Sequence, residues 1–524
     1  MRTMNRKSLP WVCAHALVFC CALLARAQQN APEEPTLRTT SALVVLDVTV
    51  VDKKSKPVTR GLTQEDFPIT QDKVPQKIFS FEPPETHENS VAEEGNEAGN
   101  NAPITILVID LLNTKFEDSS YVRYELKKFL ESQPEQLPAP AELLALGNSS
   151  LEMLQGYTRS RADLLFALEH LPAVYPFKVM NLQFNAERFM QSIEAVQQIA
   201  LQNTGVSGHK NVIWIGGGTP TLTRTGMTAE VVDFINRYVR TTTNMLVKAR
   251  VSMFAIFPGL KYEHSLTPWE LLTASESGSG DPFSDDINFG AFARETGGYV
   301  FANRNDIDGR INAAEEIGSN YYTLSYVPPH SGQDGRFRFV HIAMRDPNLK
   351  AMTKDGFFSD EKDTKINPHE QMVLNIGEAS HASIPYSNIE VKVSNLVRHP
   401  DSRTAEFTVL IPGKYCYWHG TPDGGSMAAL SVAAVSLDGR RGILASNVQK
   451  ATIRSPLQDN TKLNTETVRF SLTVRIPRRT KSVRVTIGAE ETGRIGTADV
   501  DQMALNAAPE TPTPPPPPAT PPAK

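Results

Sequence analysis

Apolar positions along this chain follow two periodicities, which separate an α/β segment from β-rich segments on either side. From Pro103 to about Ile317, short runs of β-branched and aliphatic residues alternate with longer amphipathic segments. The short runs predict strands buried on both faces, and the longer segments predict helices. We therefore expect a doubly wound, mostly parallel sheet covered by helices on both faces.

The elements of this α/β segment, residues 103–318, can be placed individually. The predicted strands are Ile104–Ile109, Glu142–Leu146, Leu151–Gln155, Asn211–Ile215, Val251–Phe257 and Gly298–Phe301. The predicted helices are Asp118–Ser132, Ser160–Leu171, Ala186–Leu201, Thr228–Val247, Ile287–Glu295 and Ile307–Ile317. The second and third strands form a hairpin, which adds one antiparallel edge strand to the sheet.

The flanking segments have the composition of strands and turns. Residues 37–82 form a predicted N-terminal β module, and 319–360 hold strands expected to pair with it, because each group alone is too small to bury a core. Residues 83–102, rich in Glu, Asn and Gly, are predicted to be a linker. Residues 375–505 predict a C-terminal β-sandwich, and 506–524 a Pro-rich disordered tail.

The first 27 residues have the order of a secretory signal peptide, with positive charges, an apolar run and a small-residue end, Ala25-Arg26-Ala27. Cleavage after Ala27 is expected, and a retained N-terminal anchor is the alternative. Cleavage removes four positive charges, so the net charge of −5 becomes −9 (−5 minus 4). Three of the four cysteines also leave, and only Cys416 remains. We expect a secreted or periplasmic (cell-envelope) protein with no disulfide, no membrane span and no nucleic-acid partner.

Motifs for catalysis are missing from the sequence. It contains no Gly-x-Ser-x-Gly elbow, no phosphate loop ending in Gly-Lys-Ser/Thr and no His-Glu-x-x-His. Cys416 is expected to be a buried strand thiol. The aromatic residues around it also permit a carbohydrate site, although a place in the sandwich is favoured. No catalytic residue is predicted.

The α/β segment resembles the von Willebrand factor type A fold. Phe289 to Phe301 is similar to that fold's helix, Gly-Gly turn and last strand, and Asp306-Ile307 opens a final helix. The chain from about 42 to 358 is also similar to the secreted, acidobacterial-type von Willebrand factor A-related family. The matching pieces include Val50-Val51-Asp52, Gly61-Leu62-Thr63, Glu65-Asp66-Phe67, Asp110-Leu111-Leu112-Asn113-Thr114, Asn211-Val212-Ile213-Trp214 and Tyr321-Tyr322-Thr323-Leu324-Ser325-Tyr326.

This resemblance implies where a metal ion would bind. Metal-binding members of the fold hold a divalent cation with an Asp-x-Ser-x-Ser loop, a later Thr and a later Asp. Asp110 and Thr114 match two of the five ligand positions, Leu112 cannot ligate, and Gly216-Gly217-Gly218 stands where the last Asp is expected. We therefore expect no cofactor, with Mg²⁺ as the alternative at a degenerate site. Asp110 is otherwise expected to cap the turn that follows it.

The favoured function is an exported, non-enzymatic protein-binding or scaffold protein with a partner of unknown identity. Its contact is expected at the carboxyl ends of the parallel strands, where Asn113, Lys115 and Thr219 would make direct polar contacts. The alternative is an exported hydrolase or carbohydrate-binding protein with its site in the C-terminal β region. A cleft there that gathers carboxylates or exposed aromatics would favour the alternative.

Overall fold

A computed structural model describes residues 43–87, 102–171, 182–220, 227–258, 289–302, 306–328, 334–359 and 367–511 of the 524. The predicted leader and residues 37–42 lie outside these ranges. Before the α/β segment the chain forms four strands, which are β1 (Val44–Val51), β2 (Ile69–Gln71), β3 (Val74–Gln76) and β4 (Ile78–Glu82).

The α/β segment contains the strands β5 (Ile104–Asp110), β6 (Gln136–Leu146), β7 (Leu151–Ser160), β8 (Lys210–Gly216), β9 (Val251–Phe257) and β10 (Val300–Ala302). They form one sheet in the order β10-β9-β8-β5-β6-β7. Every neighbouring pair is parallel except β6 and β7, which form the antiparallel edge hairpin. The expected mostly parallel sheet with one antiparallel edge strand is therefore confirmed.

Helices cover both faces of this sheet. They are α1 (Phe116–Ser132), α2 (Arg161–Glu169), α3 (Leu182–Gln202), α4 (Ala229–Lys248), α5 (Phe289–Glu295) and α6 (Ile307–Ser319). Side chains of β5 alternate between two cores: Ile106 and Val108 pack with α3, α4 and α5, whereas Leu107 and Ile109 pack with α1, α2 and α6. This double burial explains the continuous apolar run of the strand.

Strands after the α/β segment pair with those before it. They are β11 (Tyr322–Tyr326), β12 (Phe337–Ile342), β13 (Lys350–Met352) and β14 (Gly356–Phe358). One sheet has the order β13-β1-β11-β4 and the other β14-β12-β2-β3, and the two share a core that includes Leu46, Phe67 and Tyr322. We call these eight strands the β unit. The α/β segment is inserted between its two halves.

The predicted linker is wrong at its beginning. Residues Pro84–Thr86 form a 3-10 turn, and the His87 ring stacks on Tyr321 with ring centroids 4.3 Å apart. His87 is 3% exposed and packs against Tyr321, which directly precedes β11. Residues 83–87 therefore belong to the fold. Residues 88–101 lie outside the described ranges.

The C-terminal region begins with a helix, although its residues from 375 onward were assigned to a β-sandwich. Residues Pro368–His381 form α7. Its N-terminus is capped by a reciprocal capping box between Asn367 and Glu370. Met372, Ile376 and Ala379 give it one buried face at helical spacing. The assignment of residues 375–381 to a β domain was therefore wrong.

Beyond α7 the chain forms two antiparallel sheets that share one apolar core. Their strands are β15 (Lys392–His399), β16 (Thr404–Pro412), β17 (His419–Gly420), β18 (Ser426–Leu437), β19 (Ile443–Ser455), β20 (Thr467–Arg475), β21 (Ser482–Gly488) and β22 (Ile495–Asp501). The orders are β15-β16-β20 and β17-β18-β21-β22, with β19 paired to β18, and two short helices are α8 (Asn460–Thr465) and α9 (Gln502–Ala507). Cys416 is buried, but it follows a 3-10 turn rather than lying in a strand.

The prediction of disorder from residue 506 is wrong as far as Thr511. Residue Arg398 of β15 donates its backbone N–H to Pro509 and accepts one from Thr511, so the chain is fixed as far as Thr511. Residues 512–524 lie outside the described ranges. Within the described part of the chain, no helix combines the length and apolarity needed to cross a membrane.

Candidate functional site

The candidate site is the crevice at the carboxyl ends of β5 and β8. These strands are parallel neighbours, with Asp110 of β5 opposite Gly216 of β8. After β5 the chain continues to β6 on one side, and it later returns to β8 on the other side. Strand order therefore reverses here, which is where ligands bind in open α/β sheets.

Asp110 is fully buried at this point, and protein donors engage its carboxylate. The backbone N–H of Asn113 donates to Oδ1 at 2.9 Å, and the Asn113 amide Nδ2 lies 3.2 Å from both oxygens. The Trp214 indole N–H donates to Oδ2 at 3.2 Å. Asp110 therefore holds the turn that follows β5, as the capping interpretation expected.

The electrostatics of Asp110 follow from this burial. Removal from water raises the pKa of its carboxyl group to about 6, although the hydrogen bonds from Asn113 and Trp214 act in the opposite direction. Asp110 interacts electrostatically with Arg188, whose own pKa is lowered by partial burial. The carboxylate thus serves mainly as an acceptor for its own turn.

The glycines after β8 permit close contact between the two loops. The Thr114 hydroxyl accepts the backbone N–H of Gly217 at 2.9 Å. A Cβ atom at Gly216, whose φ is +147°, would lie 2.4 Å from the Thr114 Oγ1 atom. Only glycine fits there, so the glycine run allows the loop after β8 to pack against the loop after β5.

Asn113 extends the same network to α3. Its Oδ1 atom accepts from Arg188 Nε at 3.0 Å, and its Nδ2 atom lies 2.9 Å from Ser192 Oγ. The side-chain amide is therefore engaged on both of its polar ends. Asn113 is half-buried, and a partner would contact it only at its exposed edge.

The proposed metal ligands Asp110 and Thr114 both contact the glycine loop, so the structure brings them to one crevice. Both Asp110 oxygens already accept N–H bonds, and Mg²⁺ prefers several oxygen ligands in octahedral geometry. In the described ranges, no three His, Cys, Asp or Glu side chains are placed to hold a metal ion. These residues therefore do not fit a resident Mg²⁺.

The three predicted binding residues differ in exposure. Lys115 is exposed at the N-terminus of α1, whereas Thr219 is only 8% exposed. The burial of Thr219 argues against the expected direct contact through its side chain. The structure adds Phe116, which is 62% exposed and follows Lys115. Its signal in the sequence is an aromatic residue two positions before the predicted start of the helix at Asp118.

A buried ion cluster lies at the opposite end of the sheet. Asp47 of β1 accepts from Arg250 Nη2 at 2.6 Å and from Arg250 Nε at 3.0 Å, and His209 Nδ1 lies 2.9 Å away. The Thr323 hydroxyl of β11 donates to the same carboxylate at 3.0 Å. Arg250 and His209 directly precede β9 and β8, so this cluster joins the β unit to the amino ends of the parallel strands.

Comparisons with known proteins give little beyond this geometry. No family model and no curated protein matches the chain. Among solved structures the chain is similar to the crystal structure of the SpRpn10 VWA domain, at 16% identity over 30% of this chain and 75% of that chain, with a TM-score of 0.19. A similarity this distant assigns neither a site nor a function.

Proposed function

We propose that this chain is an exported, non-enzymatic protein-binding or scaffold protein. It uses a von Willebrand factor A-like domain with a degenerate metal-ion-dependent adhesion site, and the C-terminal β-sandwich is a spacer or second contact. The observation that carries this proposal is an exposed pair, Lys115 and Phe116, which follows the turn that Asp110 stabilises. We call the loops at the carboxyl ends of β5 and β8, residues 110–116 and 216–219, the rim. Aromatic side chains are enriched at the centres of protein-binding surfaces.

The fixed turn matters for affinity. The Asp110 turn, the glycine loop and α3 are connected by the hydrogen bonds of Asn113 and Thr114. A surface already held in one conformation loses little freedom when a partner binds. Binding at this rim therefore needs no metal bridge, and chelators leave it unchanged.

The test is a binding assay with a partner captured from the native envelope fraction and then purified. Phe116→Ala and Lys115→Ala should each weaken binding about tenfold, the scale of a hot-spot residue. Asn113→Ala should also weaken binding, because it loosens the turn that Asp110 stabilises. EDTA should leave binding unchanged. Tyr417→Ala is the matched control, because Tyr417 is an exposed aromatic residue of the C-terminal region. If only Tyr417→Ala weakens binding, the α/β segment is a spacer and this proposal is wrong.

Export rests on the leader, and it has its own test. The exported protein should begin at Gln28 when its N-terminus is sequenced, because the charge order and Ala25-Arg26-Ala27 favour cleavage after Ala27. A chain that starts at Met1 in the membrane fraction would show a retained anchor instead.

A further inference from the structure

A second cleft lies between α3, α4 and α7, and it shares no residue with the rim. Its volume is about 360 Å³, within the range of small-molecule sites. Hydrogen bonds between the helices hold its walls. Gln197 of α3 donates to Thr242 of α4 at 2.7 Å, and Gln198 accepts from the Ser383 backbone N–H just after α7 at 3.1 Å. The cleft is therefore already formed in the free protein.

The walls of this cleft are largely apolar and partly aromatic. Phe234 and Tyr238 of α4 stack at 6.0 Å between ring centroids, with their planes 11° apart. Phe234 is 51% exposed and Leu374 of α7 is 53% exposed. Large apolar side chains exposed together around a concave surface mark a binding site more often than a solvated face.

The charges that face the cleft are mainly negative. Glu194 of α3 and Glu378 of α7 contribute carboxylates from opposite walls, and His381 Nε2 lies 3.4 Å from Glu378. Arg237 also lines the cleft, but it pairs with Asp233 on its own helix. Partial burial raises the pKa of Glu194; the nearby His381 opposes this shift, and the Glu378 carboxylate adds to it. A bound cation would offset the repulsion between the two carboxylates.

Tyr386 also lines the cleft, but its hydroxyl is buried away from solvent. It is 1% exposed, and its hydroxyl has no hydrogen-bond partner among the described residues. A buried hydroxyl without a partner is unfavourable, because it has lost its contacts with water.

We propose that the cleft between α3, α4 and α7 binds a small organic cation with an aromatic or aliphatic group. The ammonium group lies between Glu194 and Glu378, and the apolar group packs against Phe234 and Tyr238. Aromatic faces and carboxylates both attract cations, and together they reject an anion of the same shape. This site is independent of the protein-binding rim.

Calorimetry with phenethylamine on the full-length protein tests the proposal, with 2-phenylethanol, 3-phenylpropanoate and cellobiose as comparison probes. Phenethylamine should bind with a dissociation constant on the order of 1 mM or below, which is expected for a ligand of this size. The alcohol should bind about tenfold more weakly, the scale of one charge-assisted hydrogen bond. Binding should also weaken as salt is added.

Variants separate the site from non-specific binding. Glu194→Gln and Phe234→Ala should each weaken phenethylamine binding about fivefold to tenfold, on the scale of one cation–aromatic or charged contact. Glu230→Gln and Phe166→Ala are matched controls on exposed side chains outside the cleft, and both should bind normally. Circular dichroism verifies that each variant is folded.

Four results would overturn the proposal. They are no phenethylamine binding up to about 10 mM, equal binding of the alcohol, preferential binding of cellobiose, and loss of binding in the control variants as large as in the cleft variants.

Discussion

Replacing Asp47 by asparagine should destabilise the protein by about 3 kcal/mol, because it removes the anion from a buried cluster. The Asp47 side chain is 10% exposed, and it accepts two hydrogen bonds from Arg250 and one from Thr323. Loss of one partner from a buried pair costs roughly 3–5 kcal/mol. The Arg250 side chain keeps 26% exposure, so water screens part of the loss and the lower end of this range applies.

The pH dependence of this effect has a definite sign. Burial alone would raise the pKa of Asp47, but the charges and hydrogen bonds of Arg250 and His209 outweigh it and hold the pKa well below its usual range. The unfolded chain therefore takes up the proton first as the solution is acidified. The stability that Asp47 contributes is complete above about pH 4 and is lost progressively below it. Asp47→Asn removes this part of the acid dependence.

Urea unfolding followed by far-UV circular dichroism, repeated between pH 7 and pH 3, measures both effects. Asp233→Asn is the matched control, because Asp233 pairs with Arg237 while both side chains are more than half exposed. Its change should stay below about 1 kcal/mol. A loss under about 1 kcal/mol for Asp47→Asn, or a loss that does not shrink in acid, would refute this account of the cluster.

Three further predictions concern packing, a second ion pair and metal binding. Gly298→Ala should destabilise the protein by about 3 kcal/mol in urea unfolding, because a Cβ atom would lie 1.8 Å from the Met253 carbonyl oxygen. In the same experiment Gly377→Ala should stabilise it slightly, because no atom lies within reach of the added Cβ. Arg484→Met should lower the free energy of unfolding by about 3 kcal/mol, since Arg484 is 1% exposed and binds one carboxylate and three carbonyl groups. Mg²⁺ should raise the melting temperature by less than about 1 °C; a larger rise abolished by Asp110→Ala would show a working metal site.

The central sheet could be predicted because its signals are local. The run from Ile104 to Asp110 is apolar without alternation, and that pattern occurs where both faces of a strand are buried. The start of α7 carries an equally local signal, the capping pattern of Asn367-Pro368 and Glu370. The ordered residues near Thr511 could not be predicted, because they depend on contacts with β15 more than 100 positions away.

The candidate site was predicted in position but not in detail. The end of β5 placed Asp110 at the crevice, and an Asp side chain at that position indicated a capped turn. The indole bond from Trp214 joins neighbouring strands and has no signature in sequence spacing. The inward orientation of Thr219 and the cleft between three helices likewise arise from packing, so neither could be seen in one element alone.

The interrupted β unit has a consequence for biosynthesis. Strand β1 emerges from the ribosome early, yet its partners β11 and β13 follow only after the whole α/β segment. At roughly 5–20 residues per second, β1 waits on the order of 15–60 s with unpaired backbone groups. Exposed strand edges invite pairing with other chains. The sheets of the β unit therefore cannot be completed until Phe358 has been synthesised.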